Sequence, residues 1–439
     1  MNNHTTIKTR REFLQGSLLG ASLSWTVPAF LSRTFTTLGS EQTAGNSGNN
    51  ILVLVQLAGG NDGLNTVVPF SDDHYIKARP SLAIPARDAL KVSDEIGLHP
   101  ALGGLRDLHD EGQLAIWQGV GYPNPNRSHF RSTEIWQTAS ASDINEKHGW
   151  LGRYFDHACA GADPTVGISV GRQSPQSFSG PRPLGVSLEQ PETYRFADTD
   201  PAVGNMPSGE SFYRNLNRPS MMEDEMKTNV GGSIAAIAGS TNSIHHPLDF
   251  LERTALDAQV SSDRIRAINK GSLNRVPYPA SALSNQLQLV ARLIGGGLPT
   301  RAFYVSQGGY DTHTNQSASH ARLLGELADG IKAFNKDIKA QGNSDRVLLM
   351  TFSEFGRRVK QNANGGTDHG AAAPLFMVGS KIRKGLQGVA PNLAPTDLKN
   401  GDIKFTTDFR SIYAGVLEQW LGTKSNAILK WSGTAARIT

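Results

Sequence analysis

Ile51-Leu-Val-Leu-Val-Gln-Leu57 is a near-continuous aliphatic run that stops abruptly at Ala58-Gly59-Gly60-Asn61-Asp62-Gly63. A run of this kind has no polar face to offer water, so it fits a strand covered on both sides, the situation of a parallel strand between two helical layers. The polar, glycine-rich segment that follows then stands at the strand's carboxyl end, where open α/β sheets bind their ligands.

Elsewhere the chain alternates in the same way. Pro100 to Glu111 predicts an amphipathic helix with Leu102, Leu105 and Leu108 on one side, and Gln113-Leu-Ala-Ile-Trp-Gln-Gly119 predicts the next strand. Helices are predicted at Phe130 to Thr138, Ser281 to Leu293, His320 to Ala340 and Asp408 to Leu421, with strands at Ala302 to Ser306, Arg346 to Phe352 and Leu375 to Val378. The β, α, β order predicts an α/β fold, a mostly parallel central sheet flanked by helices. Between Ser140 and about Pro277 the sequence is rich in Gly, Pro, Ser and Asn and its periodicity is weak. That stretch reads as an irregular middle insertion over approximately 155–280, with one strand at Leu184 to Leu188 and surface helices within Met221 to Arg266.

At the N-terminus, Thr9-Arg10-Arg11-Glu12-Phe13-Leu14 sets two arginines before an apolar stretch running to Leu31, the order of a twin-arginine signal. The stretch is too short and too rich in Gly, Ser and Pro for a stable membrane span. Residues 1–45 are therefore expected to be leader and linker, handled by the twin-arginine translocase, and 46–439 a single domain that ends up periplasmic or secreted. Lys8, Arg10, Arg11 and Arg33 against Glu12 and Glu41 account for +2 of the formal +4, leaving about +2. With no basic patch, nucleic acid is not an expected partner. Cys159 is the single cysteine, so no intramolecular disulfide is available.

Acids and histidines gather just after the predicted strands: Asp62, then Asp311 and His313, then Glu354, then Asp368 and His369. Together they form an oxygen and nitrogen ligand set suited to a divalent metal, Zn, Mn, Mg or Ca, while the lack of thiolates excludes a zinc finger. Taken singly, each acid also fits a helix cap and each histidine a core group. In Pro125-Asn-Arg-Ser128-His129, Ser128 precedes a predicted helix, where its hydroxyl serves either as an N-cap or as a nucleophile. Arg127 or Arg131 is then placed to hold an anionic substrate oxygen. Gly167-Ile-Ser-Val-Gly171 has the spacing of a nucleophile elbow, but Arg172-Gln-Ser-Pro does not start the helix an elbow requires. His245-His246 reads as a solvated loop pair.

Five ordered motifs, Leu57 to Asn65, Pro125 to Phe130, Gly308 to His313, Ser353 to Arg357 and Gly366 to Gly370, make the chain resemble the exported family known as domain of unknown function 1501. That family is in turn similar, more distantly, to the alkaline phosphatase superfamily of phosphatases, sulfatases and phosphomutases. The resemblance implies an alkaline-phosphatase-like fold, metal ligation by Asp62, Asp311, His313 and His369, Ser353-Glu354 at the strand end that carries further ligands, and Ser128 as nucleophile. It also implies that the helix after His313 ends at an acid, Glu326 or Asp329. Two departures stand out: His313 lies two residues after Asp311 rather than four, and Phe355 takes a position where the superfamily has a histidine. The formylglycine signature is missing, which argues against a sulfatase of that type.

Two functions are expected from these features. One is an exported metal-dependent hydrolase of phosphate or related anionic esters, acting on a small anionic or polysaccharide-type substrate through two ions about 3.5–4 Å apart and a phosphoseryl intermediate on Ser128. The other is an exported binding or assembly protein that has kept the fold while its site decayed.

Overall fold

The computed structural model describes residues 49–160, 162–181, 185–192 and 261–439. The twin-arginine segment, His245-His246 and most of Met221 to Arg266 lie outside the described residues. Nine strands make the central sheet. In chain order they are β1 Ile51–Leu57, β2 Leu114–Gly121, β3 Gly167–Val170, β4 Val186–Leu188, β5 Ala302–Gln307, β6 Val347–Phe352, β7 Ala373–Val378, β8 Gly385–Gln387 and β9 Thr407–Asp408. Their order across the sheet is β8-β2-β7-β6-β1-β5-β3-β4, with β9 beside β2. β7 runs antiparallel to both β2 and β6, and the other pairs are parallel, so the sheet is mixed but mostly parallel.

β1 occupies the middle, with β5 on one side and β6 on the other, and every one of its residues is buried. Its period-two alternation divides the core: Ile51, Val53, Val55 and Leu57 enter one apolar cluster, Leu52 and Leu54 the other. The first face carries helices α1 Gly103–Asp110, α4 Ala282–Gly295 and α5 Gln316–Ala340, through side chains such as Leu105, Leu287, Leu327 and Ile331. The second carries α2 His129–Thr138, α3 Trp150–Ala158 and α6 Phe409–Gly415, through Ile135, Trp136, Trp150 and Tyr413. Truncating one central residue, as in Leu54→Ala, removes packing on a side that cannot close up and costs about 2–5 kcal/mol.

The middle stretch departs from its expected peripheral role. Gly167–Val170 is a strand of the central sheet, paired with β5 and β4, and Ser169 is buried within it, so the elbow-like spacing belongs to a strand. α5 begins at Gln316 instead of His320, because the amides of Asn315 and Gln316 donate to the carbonyls of Asn364 and Gly365 and so extend the first turn. It continues past Glu326 and Asp329 to Ala340, so neither acid ends it. The last predicted helix is split into α6, capped by the Asp408 side chain, and a wider π turn over Val416–Trp420. Among the described residues no helix is long and apolar enough to cross a membrane.

Candidate metal centre

Parallel pairing brings the carboxyl ends of β1, β5 and β6 to one edge of the sheet, and two antiparallel pairings through β7 bring that of β2 to the same edge. β7 is antiparallel and therefore enters at that same edge, which carries His369, four residues before it, to the others. His129 arrives as the first residue of α2, after β2. Asp311 and His313 follow β5, and Glu354 follows β6.

Nitrogen and oxygen atoms converge here. Nε2 of His313 and Nε2 of His369 lie 2.9 Å apart, and Asp311 Oδ1 is 3.0 Å from the first and 3.1 Å from the second. Asp311 Oδ2 is 3.5 Å from His129 Nε2, a buried atom with no hydrogen-bond partner. Ligand-capable atoms of His129, Asp311 and His369 all lie within 4.8 Å of one another.

The opposite nitrogen of each imidazole is anchored. His129 Nδ1 is 2.9 Å from Glu354 Oε1, His369 Nδ1 is 2.8 Å from the Arg127 carbonyl, and His313 Nδ1 is 3.4 Å from Asp368 Oδ1. Acceptors at Nδ1 of His129 and His369 select the tautomer that carries its hydrogen there, which turns their Nε2 lone pairs toward the shared centre. When His313 also carries its hydrogen at Nδ1, its lone pair and that of His369, 2.9 Å apart, repel unless a cation lies with them. A divalent ion with ligands at about 2.0–2.2 Å keeps neighbouring ligand atoms roughly 3–3.5 Å apart, and the contacts here run from 2.9 to 3.5 Å. The donor set of His129, Asp311 and His369, with His313 against the last two, therefore fits a divalent metal.

Glycines and an aromatic ring make this approach feasible. A Cβ on Gly59, whose φ is +120°, would sit 2.5 Å from the Asp311 amide nitrogen, and one on Gly60 would sit 2.2 Å from the Phe355 ring. Phe355 is buried and packs its ring 4.9 Å from that of His129 and 4.5 Å from that of His369. It supplies an apolar wall beside both imidazoles.

Arg357 is buried beneath the cluster and ties its loops together, donating to the carbonyls of Gly60, Gly59, Tyr310 and Thr367 and to Asp311 Oδ1 at 2.8 Å. Partial burial acts to raise the Asp311 carboxyl, but the hydrogen bond and charge of Arg357 outweigh it and hold the group at about 2. Asp311 is thus a permanent anion at ordinary pH.

The family described as Protein of unknown function (DUF1501) matches residues 49–430. The chain belongs to that family. No curated protein matches this DUF1501 member. Among solved structures it is similar to a protein in the alkaline phosphatase superfamily from Vibrio parahaemolyticus, at 9% identity over 91% of this chain and 76% of that one, with a TM-score of 0.36. It is also similar to the lipoteichoic acid synthase LtaP from Listeria monocytogenes, at 9% identity, 85% and 78% coverage and a TM-score of 0.34. A third is the C-terminal periplasmic domain of EcEptC from Escherichia coli in complex with Zn, at 12% identity, 76% and 75% coverage and a TM-score of 0.34.

Of the residues expected to ligate metal, this DUF1501 member brings Asp311, His313 and His369 together and holds the others in different roles. Glu354 is buried and orients His129, while its Oε1 also accepts the Gly59 amide. Asp368 stands behind His313 and is kept below the ordinary carboxylate range by Asn362 and His313. Asp62 has no free oxygen for a metal: Arg79 donates to Oδ2 at 2.6 Å and Oδ1 at 2.9 Å, Gln316 adds a further bond, and both charged groups are fully buried. Burial alone would raise the Asp62 carboxyl, yet the Arg79 charge and hydrogen bonds keep it low.

Arg127 turns its guanidinium to Asp402 and contributes its carbonyl to His369, and Arg131 is engaged with Glu134 and the carbonyls of Ala141, Ser142 and Ile144. The anion clamp expected of these arginines is therefore not assembled. Ser128 is exposed at the N-cap of α2, and its hydroxyl makes no capping bond, so the cap role is not taken up. His129 is a candidate ligand that the sequence expectations did not include. It stood in the Pro125 to Phe130 motif, but no local pattern separates it from Ser128 before it.

Proposed function

We propose that this chain is an exported, metal-dependent hydrolase of phosphate or related anionic esters. The observation that supports this most is the convergence of His129, His313 and His369 Nε2 atoms on one Asp311 carboxylate, with each Nδ1 turned to its own acceptor. A divalent ion bound by these four residues would supply Lewis acidity and offset negative charge on an ester oxygen. The expected pair of ions reduces to one, because Arg79 already neutralises Asp62 and Arg357 supplies a fixed positive charge beside Asp311.

Ser128 is the proposed nucleophile, since its exposed hydroxyl stands next to His129 and is uncommitted to capping. Phe355 excludes water from one side of the imidazoles, which strengthens electrostatic interactions within the cluster. Export by the twin-arginine route is supported by Arg10-Arg11 and the apolar stretch after them.

The decayed-site alternative draws on Phe355 and on the two buried arginines that hold Asp62 and Asp311. Metal analysis separates the readings. The hydrolase reading predicts a stoichiometric divalent ion retained through purification and lost in His369→Ala; protein that neither retains nor takes up metal contradicts it.

A further inference from the structure

Tyr122 follows β2 immediately and is buried, with its ring edge-on to Phe409 at 5.8 Å between centroids. Its hydroxyl joins two parts of the site. The Asn126 amide lies 3.1 Å from Tyr122 Oη, Ser132 Oγ lies 2.7 Å from the same oxygen, and Ser132 Oγ donates to the Glu354 carbonyl.

Donor supply fixes the direction of every bond. An amide N–H only donates, so Tyr122 Oη accepts from Asn126. The single hydrogen of Ser132 goes to the Glu354 carbonyl, which has none to return, so Tyr122 must spend its own hydrogen on Ser132. A one-way chain results, from the Asn126 amide through Tyr122 and Ser132 to the backbone of Glu354. Glu354 is the residue whose side chain orients His129. At the chain's other end, Asn126 Oδ1 accepts the Ser128 amide at 2.8 Å.

We propose that Tyr122 is a positioning residue of the metal centre, setting through Ser132 the place of Glu354 and hence the direction of His129 Nε2, and through Asn126 the turn that presents Ser128. This inference rests on the metal-centre reading. Tyr122→Phe keeps the ring against Phe409 but leaves the Ser132 hydroxyl without its donor and the Asn126 amide without its acceptor.

The test is a Zn2+ titration of the chelator-stripped chain, with wild type, Tyr122→Phe and Ser132→Ala measured alongside thermal unfolding. Loss of such orienting contacts typically weakens metal affinity about 10–100-fold, and both variants are expected to fall in that range. Because they cut one chain, the double variant should lose no more than the weaker single variant. Variants that melt earlier yet keep a Zn2+ Kd within about twofold of wild type would overturn the positioning role, since a purely structural contact moves only the melting temperature. Wild type that fails to bind Zn2+ would overturn the metal-centre reading itself. If Tyr122→Phe does not fold, Ser132→Ala carries the same comparison alone.

Discussion

His313 and His369 face each other through Nε2 atoms 2.9 Å apart, and both look toward the same oxygen of Asp311. Two neutral imidazoles rest in that arrangement only if one carries its hydrogen at Nε2; with both hydrogens at Nδ1 a proton or a metal ion must lie with them. The two differ in ligand demand. A shared proton needs only this pair, whereas a metal also uses the buried, unpartnered Nε2 of His129.

Glu354 acts on the cluster through His129, so its charge affects affinity more than it affects the fold. Glu354→Gln keeps an acceptor for the imidazole and for the Gly59 amide but removes the negative charge. A loss of about tenfold in metal affinity, with little change in melting temperature, is expected from calorimetric titration. Unchanged affinity would remove Glu354 from the centre.

Ser128→Ala deletes a hydroxyl that caps nothing. Stability should move by less than about 1 kcal/mol, below the usual cost of losing a functional cap. Turnover of a confirmed phosphate ester should fall by about 10³-fold or more if Ser128 is the nucleophile, while metal content stays the same. Turnover near the wild-type rate would assign attack to water.

Asp62 and Arg79 form a fully buried ion pair, so removing one partner strands the other's charge. Arg79→Met should destabilise by about 3–5 kcal/mol in denaturant titration. Asp62→Asn should lower stability while leaving bound metal intact. Metal loss in well-folded Asp62→Asn would restore Asp62 as a ligand.

His320 is fully buried, with Nε2 2.9 Å from Asn61 Oδ1, and its ring stands edge-on to that of His99. Burial pushes both imidazoles down to about 4. An unfolded histidine titrates near about 6.5, so between about pH 6.5 and 4 the unfolded chain takes up protons that the folded chain refuses. Stability should be full above about pH 6.5 and fall as pH drops toward 4, by on the order of 3 kcal/mol for His320. His320→Gln should flatten that fall in urea titrations at pH 7 and pH 5; an unaltered slope would show that His320 does not drive it.

The central strands were legible because burial on both faces writes a continuous apolar run, as in Ile51 to Leu57. β3 was not, since four residues in a glycine-rich stretch carry too little pattern and are held by pairing to β5. Asp311, His313 and His369 could be picked out by their places after or before strands. Asp62 stood in an equally suggestive place, and only the fold shows that Arg79, 17 positions later, occupies it. His129 meets Glu354 across 225 positions of sequence, a pairing that no local spacing records.

The central claim is that His129, Asp311, His313 and His369 bind one divalent metal ion. Elemental analysis of the chain purified without added metal, beside His129→Ala and His369→Ala, tests it most directly. One equivalent in the wild type and a small fraction of that in each folded variant is the predicted result. Wild type without metal, or variants that keep the full equivalent, would contradict it.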